Sequence, residues 1–114
     1  MTILVTGATG FIGREVVRRL LAARRSVVAL ARRGDGGPAI ERVATALGGL
    51  PPGADLRVVE GDLAAPGCAL EPADRRQLRR TIETVIHCAG DTRFEPQAMA
   101  PYVAGHIDGP LHLL

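Results

Sequence analysis

Three glycines stand three residues apart in the run Thr6-Gly7-Ala8-Thr9-Gly10-Phe11-Ile12-Gly13. The chemistry such a run can do is anion binding by bare backbone. Gly7 permits a sharp turn off a strand, and Gly10 lets the backbone come close to a pyrophosphate. Gly13 lets the helix that follows pack tightly on the sheet. The free N–H groups and the dipole of that new helix then face the phosphate charge. A glycine-rich turn with no ligand is the plain alternative. The placement of the run, between an apolar strand and an amphipathic helix, favours the phosphate reading over it.

A second candidate group lies where the next strand ends, at Ala31-Arg32-Arg33. A domain that prefers NAD carries an acidic residue about 20 residues past the glycines, bonded to the ribose 2′-hydroxyl. A carboxylate there repels a 2′-phosphate, whereas a guanidinium grips it with two parallel hydrogen bonds. Arg32 and Arg33 therefore point to NADP over NAD. Asp35 is close enough in sequence to serve an NAD ribose if the loop curls back, and the arginine pair also reads as plain surface.

Histidines and cysteines offer less. His87, His106 and His112 form no set with a cysteine or acid at metal-ligand spacing. His87, at a strand end, reads as a satisfied core histidine. Cys88 has no base and orienting group beside it, so packing against cofactor or core is expected rather than nucleophilic chemistry.

The elements that must position these residues follow from apolar periodicity. Thr2–Val5 reads as a buried strand. Phe11, Ile12, Val16, Val17, Leu20 and Leu21 recur at helical spacing, and Glu15 pairs with Arg19 one turn on. That helix is expected to end near Arg24 or Arg25. Ser26–Ala31 (SVVALA) is a second buried strand, which completes a βαβ unit with its strands parallel. Gly34–Pro38 is a loop, and Ala39–Leu47 a short helix closed by Gly48 and Gly49. A connector runs from Leu50 to Asp55. Leu56–Val59 is a third strand, Pro72–Arg80 a helix and Thr84–His87 a fourth strand. Gln97–Leu114 is read as a helix despite Pro101, Gly105, Gly109 and Pro110. This alternation predicts an α/β fold with a parallel sheet.

Composition narrows the class further. The chain has 114 residues, enough for one small domain, and 46% of them are apolar. Aromatics are only 3%, so the core must be aliphatic. The net charge of +2 calls for neither nucleic acid nor a membrane surface. Every basic residue is Arg; there is no Lys. The arginine pairs are spread along the chain, as solvated surface is, rather than gathered into a phosphate-backbone footprint. No stretch is long and apolar enough to span a bilayer, and the N-terminus is no signal peptide. Two cysteines make no disulfide framework, so a reducing, cytoplasmic setting is expected.

The pattern TGxxGxxG, with Thr6 in front, resembles that of the extended short-chain dehydrogenase/reductase superfamily. Two further stretches extend the resemblance in order. Glu60-Gly61-Asp62-Leu63 is similar to the acidic turn after the third strand, which implies that Asp62 and Leu63 contact the adenine. Val85-Ile86-His87-Cys88-Ala89-Gly90 is similar to the fourth-strand motif, which implies that Cys88, Ala89 and Gly90 line the cofactor. Asp91-Thr92-Arg93-Phe94 resembles the thioester-reductase and fatty-acyl-reductase branch. The resemblance covers nearly the whole chain.

It also implies what this sequence does not carry. Hydride transfer in the superfamily uses a Tyr and a Lys at YxxxK spacing after the fifth strand. Tyr102 is the only Tyr and comes too early, with His106 four residues on. The family's Asn-x-x-Gly-Thr pattern is met by His106-Ile107-Asp108-Gly109-Pro110, with His for Asn and Pro for Thr. No catalytic residue is therefore assigned.

Residues 1–114 are expected to form a Rossmann-like NAD(P)-binding domain, doubly wound with strand order 3-2-1-4, that stops before the catalytic segment. Met1, directly before the first strand, reads as a chain start. A fourth strand without its usual neighbours leaves an apolar edge, which predicts self-association. The leading expectation is the NADP-binding portion of a thioester or carbonyl reductase, with a small-molecule substrate only where a C-terminal half is present. A non-catalytic NADP-binding sensor or regulatory module, a sugar-nucleotide epimerase or dehydratase, and a non-functional truncated product stay open.

Overall fold

A computed structural model describes residues 2–34 and 37–89. They form β1 (Thr2–Thr6), α1 (Phe11–Ala22), β2 (Ser26–Ala31), α2 (Ala39–Leu47), β3 (Leu56–Glu60), α3 (Pro72–Thr81) and β4 (Ile82–His87). The strands make one parallel sheet in the order β3-β2-β1-β4, as the βα alternation requires.

Strand side chains alternate between faces, and here both faces of the central strands are covered. Ile3 and Val5 of β1, with Val27 and Ala29 of β2, meet Val17 and Leu21 of α1 and Val43 and Leu47 of α2. On the other face Leu4, Val28, Leu30 and Val59 meet Cys68 and Leu78, the latter from α3. This double burial is why β1 and β2 read as continuous apolar runs instead of an alternating pattern. Each such aliphatic side chain contributes roughly 1.5–3 kcal/mol when taken fully from water.

The differences from the sequence reading have local causes. Helix α1 ends at Ala22, short of Arg24. Arg24 takes a left-handed φ of 58°. Its N–H donates to the Leu21 carbonyl at 3.0 Å, and that of Arg25 donates to Leu20 at 2.9 Å. This is the stop usually made by glycine, made here by arginine, so no sequence signal marked it. Strand β4 begins two residues before Thr84, at Ile82, across a register shift against Thr2 and Ile3. A tight turn over Pro66–Ala69 was not anticipated, and Gly67, Cys68 and Ala69 all take left-handed φ values there. The expected Glu15–Arg19 pair forms at 3.1 Å, and this hydrogen bond holds the Glu15 carboxyl below its usual pKa. The expected helix over Gln97–Leu114 lies outside the described residues.

Candidate nucleotide-binding site

The segments singled out in the sequence all leave the carboxyl ends of strands. The glycine run follows β1, Arg32 and Arg33 follow β2, Gly61 and Asp62 follow β3, and Cys88 and Ala89 follow β4. In an open parallel sheet the ligand crevice lies outside these ends, at the point where the strand order reverses. Here that point is between β1 and β4, which pair directly.

Gly7 carries a φ of +72°, and a Cβ there would stand 2.6 Å from the Ala89 nitrogen and from the Cys88 carbonyl carbon. Glycine is thus required twice, by conformation and by close approach to the chain leaving β4. Gly13 was expected to let the helix pack tightly on the sheet. Its nearest neighbour is the turn that leaves β1: a Cβ would lie 1.9 Å from the Gly7 oxygen and 2.6 Å from the Gly7 carbonyl carbon. Gly10 donates to the Gly7 carbonyl at 3.0 Å and is the N-cap of α1, with no side-chain cap. The first intrahelical bond is that of the Arg14 N–H to the Gly10 carbonyl, at 3.0 Å. The N–H groups of Phe11, Ile12 and Gly13 precede it and have no intrahelical acceptor. A row of backbone donors therefore opens at a helix start where Gly10, Phe11 and Ile12 are exposed and Gly13 is buried.

The side chains around that start are disposed unequally. Ala8 is packed into the core, so it has only backbone to offer a ligand. Thr9 is half-buried. Phe11 and Ile12 are 83% and 67% exposed. The Arg14 guanidinium lies over the Phe11 ring, 5.4 Å from its centroid.

Arg32 and Arg33 are both exposed. A third cation, which the sequence reading did not single out, joins them. Arg42 of α2 donates from Nη1 to the Arg32 carbonyl at 2.5 Å, and a Cβ on Gly34 would lie 3.0 Å from its Nε. Its position in the first turns of the helix after the loop was the available signal. Glu60 accepts the Ala39 N–H at 2.9 Å, which ties the start of that helix to the end of β3. Asp35 lies outside the described residues.

After β3 the Gly61 N–H donates to the Ala31 carbonyl at 3.0 Å, which holds the turn beside Arg32. Asp62 and Leu63 are half-buried, and the Asp62 carboxylate accepts the Ala64 N–H at 2.9 Å. Burial pushes the Cys68 thiol pKa up; Asp62 adds to the rise and Arg75 opposes it. Cys88 and Ala89 are half-buried beside Gly7, and Gly90 lies outside the described residues. His87 departs from its expected core position: the residue is exposed, although Nδ1 sits 2.6 Å from the Thr6 hydroxyl. A cavity of about 240 Å³ lies elsewhere, under α3, lined by Leu4, Leu30, Leu70, Leu78 and Val85 among others, and no glycine-run residue borders it. Among the described residues no group of His, Cys, Asp and Glu is placed to hold a metal.

This geometry suits a dinucleotide: a turn that a Cβ at Gly7 or Gly13 would obstruct, uncapped helix donors and cations one strand away. The sequence matches the model of the male sterility protein family over residues 5–110. It is 33% identical to the polyketide synthase GfsA of Streptomyces halstedii over 120 residues, 99% of this chain and 2% of that protein. The reductase domain of a nonribosomal peptide synthetase from Mycobacterium tuberculosis superposes with a TM-score of 0.73 at 27% identity, over 98% of this chain and 30% of that one. MoeE5, solved in complex with UDP-glucuronic acid and NAD, superposes with a TM-score of 0.67 at 31% identity, over 99% of this chain and 31% of that one. The chain thus spans less than a third of these solved relatives and a small fraction of the synthase. With the family match running through nearly all of its sequence, the chain belongs to the male sterility protein family, as an NAD(P)-binding domain of Rossmann-like fold.

Proposed function

We propose that the chain is the NADP-binding front part of a reductase that acts on a thioester or carbonyl. The observation that carries this reading is the uncapped start of α1 held over the Gly7–Gly13 contact. The backbone of Gly7, Ala8, Thr9, Gly10, Phe11, Ile12 and Gly13 would hold the pyrophosphate. Arg32 and Arg33 would grip the 2′-phosphate, with Arg42 beside them. Asp62 and Leu63 would contact the adenine, and Cys88, Ala89 and Gly90 would line the cofactor. A bound reduced nicotinamide supplies hydride. This chain's own residues bind and orient it, and none is assigned to proton transfer.

The likeness to the peptide-synthetase reductase domain supports a thioester substrate. Sugar-nucleotide chemistry is the second reading, and the likeness to MoeE5 favours it. The chain spans 30% of that reductase domain and contains no Lys, so the superfamily's Tyr–Lys pair is not made from its residues. Two free cysteines suit a reducing, cytoplasmic setting, and no helix among the described residues is long and apolar enough to cross a membrane. The outer edge of β4, which pairs with no strand among the described residues, supports self-association.

Calorimetric titration with NADPH and with NADH tests the cofactor assignment. NADPH is expected to bind at least about tenfold more tightly, since a charge-assisted hydrogen bond contributes roughly 1.5–3 kcal/mol. Arg32→Ala with Arg33→Ala should abolish that preference. A preference for NADH, or one the double substitution leaves intact, would overturn the assignment.

A further inference from the structure

Thr6 is the one buried polar residue among the described residues, with 0% of its surface exposed. Its hydroxyl accepts the Ala89 N–H at 3.3 Å and lies 2.6 Å from His87 Nδ1. The Cys88 N–H donates to the Thr6 carbonyl at 3.2 Å, and Thr6 is the register partner of His87. Side chain and main chain together therefore bind the last residue of β1 to residues 87–89. Gly7 follows at once, packed so closely on the Cys88–Ala89 peptide that no Cβ fits between them.

From this arrangement we infer that His87 is a positioning residue for the glycine turn, acting through the Thr6 hydroxyl; the inference rests on the dinucleotide reading of that turn. A hydroxyl has one proton to donate and two lone pairs. The Ala89 N–H occupies one lone pair, so the proton goes to the acceptor in reach, His87 Nδ1. His87 then carries its own proton on Nε2. Burial does not explain the imidazole, because the residue as a whole is exposed. What it supplies is an acceptor, without which a buried hydroxyl proton has no partner and the tie between the two strand ends loosens. The backbone donors of Gly7–Gly13 depend on that tie for their placement against the chain leaving β4. A donor row displaced by a fraction of an ångström loses part of its grip on a pyrophosphate.

The test uses the whole chain. Long-range proton–nitrogen NMR without any nucleotide reads the His87 tautomer, and calorimetry with NADPH reads the site. The wild type is expected to show His87 protonated on Nε2, with Nδ1 perturbed by Thr6→Val. His87→Leu and Thr6→Val should each weaken NADPH binding by about tenfold, a lost hydrogen bond with its orphaned partner. The double variant should be no worse than the weaker single. His87→Asn, whose amide oxygen can stand in for Nδ1, should bind within about threefold of wild type; a role in packing alone would give no such rescue. Urea unfolding of each variant separates lost affinity from lost fold. An Nδ1-protonated ring overturns the inference. So does unchanged affinity in His87→Leu, or additive losses in the double variant. If the wild type binds no NADPH, the dinucleotide reading fails instead, and the tautomer still decides whether the Thr6–His87 tie exists.

Discussion

At position 13 a methyl group would meet backbone rather than a side chain. It would stand 1.9 Å from the Gly7 oxygen, and no rotamer change can relieve that. Gly13→Ala gains helix propensity of about 1 kcal/mol. The forced displacement of helix from turn opposes it, and a net loss of about 2–3 kcal/mol is expected. Gly10→Ala differs, because its Cβ would come only within 3.2 Å of the same oxygen, at an exposed cap. That change should cost no more than about 1 kcal/mol in stability. Urea midpoints for the two variants check the contrast, and equal midpoints would refute it. The spacing of these glycines was legible in the sequence because each has a mechanical reason to be glycine. The partner of Gly13 was not, since periodicity shows which face a residue takes and not which atom it meets. Thr6 and His87 were harder still: 81 positions separate them, and only the β1–β4 pairing brings them together.

At the scale of elements, the interiors were legible and the ends were not. Val17 and Leu21 show their inward face through spacing alone, and both are buried. The end of α1 was misplaced because Arg24 does a glycine's work, with a φ of 58° and a side chain that makes this conformation unfavourable. Relief of that strain gives a prediction. Arg24→Gly should stabilise the chain by about 0.5–1 kcal/mol, although glycine elsewhere in a helix destabilises it. Thermal or urea unfolding reads the sign, and a destabilised variant would mean that Arg24 is not left-handed in solution. The early start of β4 was hidden for a related reason. Ile82 and Glu83 lie across a register shift, so the apolar alternation that marks a strand is broken there. The turn at Pro66–Ala69 places Cys68 and Ala69 at positive φ, which neither residue type advertises.

For the molecule as a whole, the sheet order leaves β4 paired on one side only among the described residues. Thr84 is exposed and Val85 is 44% exposed, while Glu83 places one charge on the strand. An open parallel edge presents unpaired N–H and C=O groups to any second strand, and one carboxylate is a weak guard against that. Sedimentation of this 114-residue chain should therefore show association that grows with concentration, at about 10–100 μM. Val85→Lys should shift the chain toward monomer, while setting a charge beside Leu4, Leu30 and Leu78 of the cavity under α3. NADPH binding should be unaltered, because Val85 borders the cavity under α3 and not the glycine turn. A monomer at every concentration, with slow amide exchange along β4, would have another meaning. The edge would then be too well guarded to recruit a second strand, and the wild type and Val85→Lys would sediment alike.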